Sequence, residues 1–235
     1  MTFIASIGEP IHVVAQTAPS QPPRSYATVL GGLQASTALI EHDGNQEGVA
    51  IELTPLGSRT LFGMPASELW DLSLELNEVI GGAGAELWER LQAPGAWDDR
   101  FTACDDVLLR LAGDCCVAPE LQHCWEALVD SGGQLSVNQL ASEMGYSRQH
   151  LRRRFNDEFG LSPKLAARIV RFERARRMLH SRASTSAMAD VAAACGYYDQ
   201  SHLHRDFADL AGCTPREWLG EDLPKFQDHV TAGDS

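Results

Sequence analysis

The sequence predicts an α+β fold: a small N-terminal β-sheet plus helices, followed by an all-α domain of two helix-turn-helix units joined by a long linker helix. Three observations carry that expectation. Short β-rich runs bounded by turn residues fill the chain up to Thr54. Beyond Pro55 apolar residues recur at three- and four-residue spacing, the period of an amphipathic helix. Past Pro119 one helical unit occurs twice, 51 to 52 residues apart.

In chain order, Ile11 to Ala15 and Tyr26 to Leu30 read as strands on either side of the Pro19–Pro23 turn. Thr37 to Glu41 and Val49 to Thr54 flank His42-Asp43-Gly44-Asn45, a hairpin signal. Pro55 to Phe62 opens a helix that Pro65 ends, and Ala83 to Leu91 and Trp97 to Leu111 read as amphipathic helices. The chain divides near Gly113, giving an N-terminal sensing or dimerising domain at 1–113, a helical domain at 114–222 and a polar tail at 223–235.

The repeat aligns Ala141 to Tyr146 with Ala192 to Tyr197. After one inserted residue it aligns His150, Leu151, Arg153, Phe155, Gly160 and Pro163 with His202, Leu203, Arg205, Phe207, Gly212 and Pro215. Each copy is a helix, a glycine turn and a second helix. In the first copy Ser136 and Gln139 form a capping-box pair, Gly145 turns, and Ser147 caps a helix that stops at Gly160. In the second, Gly196 turns and Asp199 caps a helix ending near Gly212. Generic helical hairpins share this spacing. Between the copies, Pro163 starts a helix running to about His180, with Leu165, Ile169, Phe172 and Leu179 as its apolar stripe. At 1.5 Å per residue it is roughly 25–30 Å long, close to the ~34 Å between successive turns of a duplex on one face. The same helix also reads as an ordinary core helix.

Composition narrows the function. With 235 residues, 44% of them hydrophobic and 22% charged, the chain is an ordinary globular protein. No membrane span and no secretory signal is visible, which fits a cytoplasmic protein. The net charge of −13 hides a cationic block: residues 131–182 hold eleven Lys and Arg against four Asp and Glu. Such a block is the local footprint of phosphate binding, or simply a solvated helix face. If Leu151 and Phe155 face the core, Gln149, Arg152, Arg153 and Asn156 face away; in the second copy Ser201, His204 and Arg205 do, with Gln200 at the edge. Arg and Gln can make bidentate bonds to guanine and adenine edges in the major groove, and flanking Arg148 and Arg154 suit phosphates.

No catalytic motif or phosphate-cradling glycine loop is present, so no enzyme activity and no cofactor is expected. Cys115, Cys116, His123 and Cys124 lie close in sequence but lack paired metal-ligand spacing, so reduced structural cysteines and no metal are expected. His12 and His42 read as surface or strand-end residues.

From about Leu121 to Leu219 the sequence resembles the double helix-turn-helix DNA-binding domain of AraC-type (AraC/XylS) transcriptional regulators. The residues that carry the resemblance include Gly145-Tyr146-Ser147, His150 to Phe155, Ser162-Pro163, Ala192 to Gly196, Asp199 to Leu203, Arg205, Phe207 and Thr214-Pro215. The resemblance implies a bacterial, sequence-specific regulator whose two recognition helices read successive major grooves. It implies base contacts from Gln149, Arg152, Arg153, Gln200, Ser201 and Arg205. Backbone contacts are expected from Ser147, Arg148, Arg154, Arg171 and His202.

Asp206 and Asp209 depart from the pattern and are expected to weaken the second helix's grip on phosphate. Leu53 to Gly57 and Leu61 to Pro65 resemble the later part of AraC-type sensor domains, whose opening strands are not seen here. The effector pocket is then incomplete, or the chain starts late. Double-stranded DNA is the expected partner; RNA polymerase, a small-molecule effector and a second copy of the chain are further candidates, and no membrane is expected. Two other readings stay open. One is a DNA-repair protein with an AraC-type module and a reactive cysteine among Cys104, Cys115, Cys116 and Cys124. The other is a protein-interaction module that no longer binds DNA.

Overall fold

The computed structural model describes residues 1–41, 43–114, 116–181 and 188–220. His42, Cys115 and the whole 223–235 tail therefore lie outside the described residues.

The N-terminal part holds two antiparallel sheets. Strands β1 (Thr2–Ile7), β4 (Thr28–Gly31), β6 (Glu47–Glu52) and β7 (Ser73–Glu75) form one in the order β6-β1-β4-β7. Strands β2 (Ile11–Ala15), β3 (Arg24–Tyr26) and β5 (Leu39–Glu41) form the other, with β2 central. The period-2 pattern explains β2: Ile11 and Val13 are buried, His12 and Val14 exposed. In β1, Phe3 sits between Leu30 and Ile51. Phe3, Leu30 and Val49 then pack on Leu87, Leu91 and Val107 of helices α3 (Gly82–Gln92) and α4 (Trp97–Leu111).

Two sequence expectations change. A strand not expected from the sequence, β1, pairs over six residues with β6. The hairpin around Gly44 does not form: β5 pairs with β2 and β6 with β1, so the two flank a turn but belong to different sheets. Burial, not the turn residues, goes with the choice of partner. Val49 is 5% exposed against β1, whereas all three residues of β5 are exposed.

Short helices α1 (Gly57–Phe62) and α2 (Leu76–Ile80) and a 3₁₀ turn at Ala66–Leu69 complete this part. The helices after residue 113 follow the repeat. They are α5 (Pro119–Asp130), α6 (Val137–Glu143), α7 (Arg148–Phe159), the 19-residue connector α8 (Pro163–Ser181), α9 (Met188–Ala194), α10 (Gln200–Ala211) and α11 (Pro215–Gly220). Leu151, Phe155 and Phe159 of α7 are fully buried around Trp125 of α5. In the second unit Leu203 and Phe207 pack on Phe172 of the connector, with the Phe172 and Phe207 rings 4.9 Å apart. Leu33 and Ala66 from the N-terminal part sit in the same apolar cluster as α5 and α7, so packing continues across residue 113.

Candidate nucleic-acid interface

Local chemistry builds each unit's second helix. Ser136 and Gln139 cap α6 reciprocally. Gly145 turns with φ 65°, the left-handed region that glycine enters without a Cβ penalty. The Ser147 hydroxyl then accepts the His150 amide at 3.2 Å to start α7. In the second unit Gly196 turns with φ 75°, and Asp199 accepts the His202 amide at 2.7 Å to start α10.

The buried residues of α7 orient its other face. Gln149, Arg152, Arg153 and Asn156 are all exposed on the side away from Leu151 and Phe155, as is Arg148 at the helix start. In α10, Ser201 and Arg205 are exposed opposite buried Leu203 and Phe207, and Gln200 is exposed at the helix's N-terminal edge. Five of the six expected base-reading residues therefore sit on the outer faces of two equivalent helices, with Gln200 at the N-terminal edge of the second.

The expected backbone-contact residues have more varied surroundings. Arg154 is half-buried, lies 5.5 Å over the Tyr146 ring and donates to its hydroxyl. The connector's Arg171 lies 5.3 Å over Tyr197, the repeat equivalent of Tyr146, with its Nε buried. His202 meets Tyr197 edge-on at 5.2 Å, as His150 meets Tyr146 at 4.7 Å. Burial pushes the Tyr197 hydroxyl pKa well up, so it stays protonated.

Sequence reasoning missed two features. Asp206 is 2% exposed and turned toward the connector, where Arg168 holds it. Arg59 of α1 makes a two-pronged bond to Glu158 of α7 at 2.7 and 2.9 Å, while the Ser67 hydroxyl donates to the Asp157 carbonyl at 2.7 Å. Two carboxylates in the last turn of α7 oppose the helix dipole, and that was the available signal that a cation waits there.

Burial raises the thiol pKa of Cys104 and of Cys124 to about 11. Cys116 is exposed. Among the described residues no cluster of His, Cys, Asp and Glu could hold a metal ion, and no helix is long and apolar enough to cross a membrane. A cleft of about 480 Å³ opens between the N-terminal part and the helices, with Leu33, Glu52, Trp125, Phe172, Arg176 and Leu210 among its walls.

Residues 140–221 match the family model of a helix-turn-helix domain. No curated protein sequence matches the chain. Among solved structures, ToxT from Vibrio cholerae is 13% identical, with a TM-score of 0.55 over 93% of this chain and 89% of that one. ToxT from V. cholerae strain SCE256 with an unsaturated fatty acid bound is 13% identical, with a TM-score of 0.53 over 93% and 86%. A transcriptional regulator with an AraC-type DNA-binding domain from Chromobacterium violaceum is 25% identical over 43% of this chain and 90% of its own, with a TM-score of 0.40.

The likeness to ToxT is one of fold and extends over both halves. Residues 140–221 are thus a helix-turn-helix domain. Two helix-turn-helix units, α6–α7 and α9–α10, flank the single connector α8.

Proposed function

We propose that the protein is a sequence-specific transcription regulator that reads two successive major grooves on one face of double-stranded DNA, with α7 in one and α10 in the next. The exposed face of α7 carries this reading. Gln149, Arg152 and Arg153 project from one side, flanked by Arg148, and the opposite side is anchored in the core. A solvated face with no ligand has no need of a row of arginines without lysine. The connector supports the two-groove part: its 19 residues span about 28 Å. In this reading Gln149, Arg152, Arg153, Gln200, Ser201 and Arg205 meet base edges, and Ser147, Arg148, Arg154, Arg171 and His202 meet or position the backbone.

The 480 Å³ cleft is where we place a small-molecule effector, because an occupant there would touch the sheet, the connector and both helical units. RNA polymerase and a second copy of the chain complete the proposed partners of a cytoplasmic regulator. The DNA-repair reading gains nothing from Cys104 and Cys124, whose neutral thiols are poor nucleophiles. Native thiol labelling at neutral pH is expected to spare both of them. Titration of the full chain against duplex at several salt concentrations tests the main reading. Affinity falling with a log–log slope of several units is expected; binding absent at low salt would reject it.

A further inference from the structure

The repeat contains an inversion of charge. Arg154 of α7 aligns with Asp206 of α10, and each follows an equivalent turn tyrosine, Tyr146 by eight residues and Tyr197 by nine. In the first unit Arg154 itself supplies the cation over the tyrosine ring. In the second unit an aspartate occupies that position, and the cation comes from the connector as Arg171. A second connector arginine, Arg168, reaches both carboxylates of α10. Its Nε donates to Asp206 at 2.6 Å, and its Nη2 donates to Asp209. Asp206 is 2% exposed, whereas Asp209 stands at 61%, one helical turn after Arg205. Arg168, Arg171, His202 and Arg205 line one concavity of about 560 Å³ with these two acids. Burial opposes the charge on Arg168, but its bonds to Asp206 and Asp209 outweigh that and raise its pKa, so it is cationic throughout the physiological range.

We propose that Arg168 is a positioning residue for the second recognition helix: it offsets one of the two negative charges of Asp206 and Asp209 and ties α10 to the connector, so that Arg205 can approach DNA. This rests on the reading of α10 as a DNA-contacting helix. Without Arg168 two unneutralised carboxylates beside Arg205 would repel the phosphates that flank the groove, and α10 would be held to the connector by apolar packing alone. The connector is then part of the second reading head as well as a spacer.

The test uses the full chain and compares duplex affinity across salt concentrations for wild type, Arg168→Gln, and the triple variant Arg168→Gln/Asp206→Asn/Asp209→Asn. Arg168→Gln is expected to lose about fivefold or more in affinity at low salt, the loss shrinking as salt screens the exposed acids. The triple variant, which removes the acids and leaves no charge to cancel, is expected to regain most of that affinity. Because Arg168→Gln also strands the buried Asp206 and the triple variant relieves that, affinities are compared at equal folded fraction, set by thermal melting of each variant. A triple variant as weak as Arg168→Gln at equal folded fraction overturns the proposal, as does a loss in Arg168→Gln that vanishes once the folded fractions are matched. Unchanged affinity in Arg168→Gln also overturns it. Wild-type chain that binds no duplex overturns the functional reading and this inference with it, whereas wild-type binding with any of the preceding results overturns this inference alone.

Discussion

Arg153 and Arg205 occupy the same place in the two units, exposed and opposite a buried leucine and phenylalanine. Each can fork onto a guanine edge, worth about 1–3 kcal/mol of discrimination. Arg153 stands beside exposed Arg152 and Arg148, while Arg205 shares its helix with exposed Asp209. Arg153→Ala is expected to weaken specific binding more than Arg205→Ala, and to relax preference at one or two base pairs. Titration of both variants against operator and random duplex checks the ranking. The outer face of α7 was legible in the sequence because Leu151 and Phe155 fix the helix's rotation, and 100° per residue does the rest. The pairing of Asp206 was not legible. Its partner Arg168 lies 38 residues away on another helix, and only the packing of α10 on α8 brings them together.

Two glycines that look alike in sequence separate once the elements are assembled. Gly145 and Gly160 both sit at positive φ, 65° and 77°. A Cβ on Gly145 would meet nothing within 4 Å, but one on Gly160 would lie 2.7 Å from the Trp70 Cβ and 3.0 Å from the Ser67 Cα. Gly145→Ala is therefore expected to cost about 1–2 kcal/mol, the left-handed penalty alone. Gly160→Ala should cost clearly more, because the N-terminal part must move; urea unfolding of the two variants makes the comparison. Within the connector, Phe172 is 6% exposed between both halves of the second unit's core, and Phe172→Ala is expected to cost about 3–5 kcal/mol. Ile169 is only partly buried, so Ile169→Ala should cost less. Helix boundaries after Pro119 followed from caps and stops that act within a few residues. The sheets did not, because β5 and β6 took partners from elsewhere in the chain.

At the scale of the molecule, α7 is held from both ends of the chain. Its buried face joins the helical core, and its last turn is clamped by Arg59 and Ser67 of the N-terminal part. Glu158 is 6% exposed, so Arg59→Ala strands a buried carboxylate and is expected to cost about 3–5 kcal/mol. Thermal melting of the full chain gives that value. The clamp also ties the orientation of one recognition helix to the N-terminal sheets, while Thr37 ties them to the second unit through a 3.2 Å bond to the Leu210 carbonyl. The central claim, two helices reading two successive grooves, is tested most directly by spacing. Duplexes selected from a randomised pool are expected to carry two conserved half-sites about 10–10.5 bp apart. Inserting five base pairs between them turns one half-site to the far side of the duplex and is expected to abolish specific binding by the full chain. Undiminished specific binding after that insertion, or selected sites with a single contiguous half-site, would contradict the account.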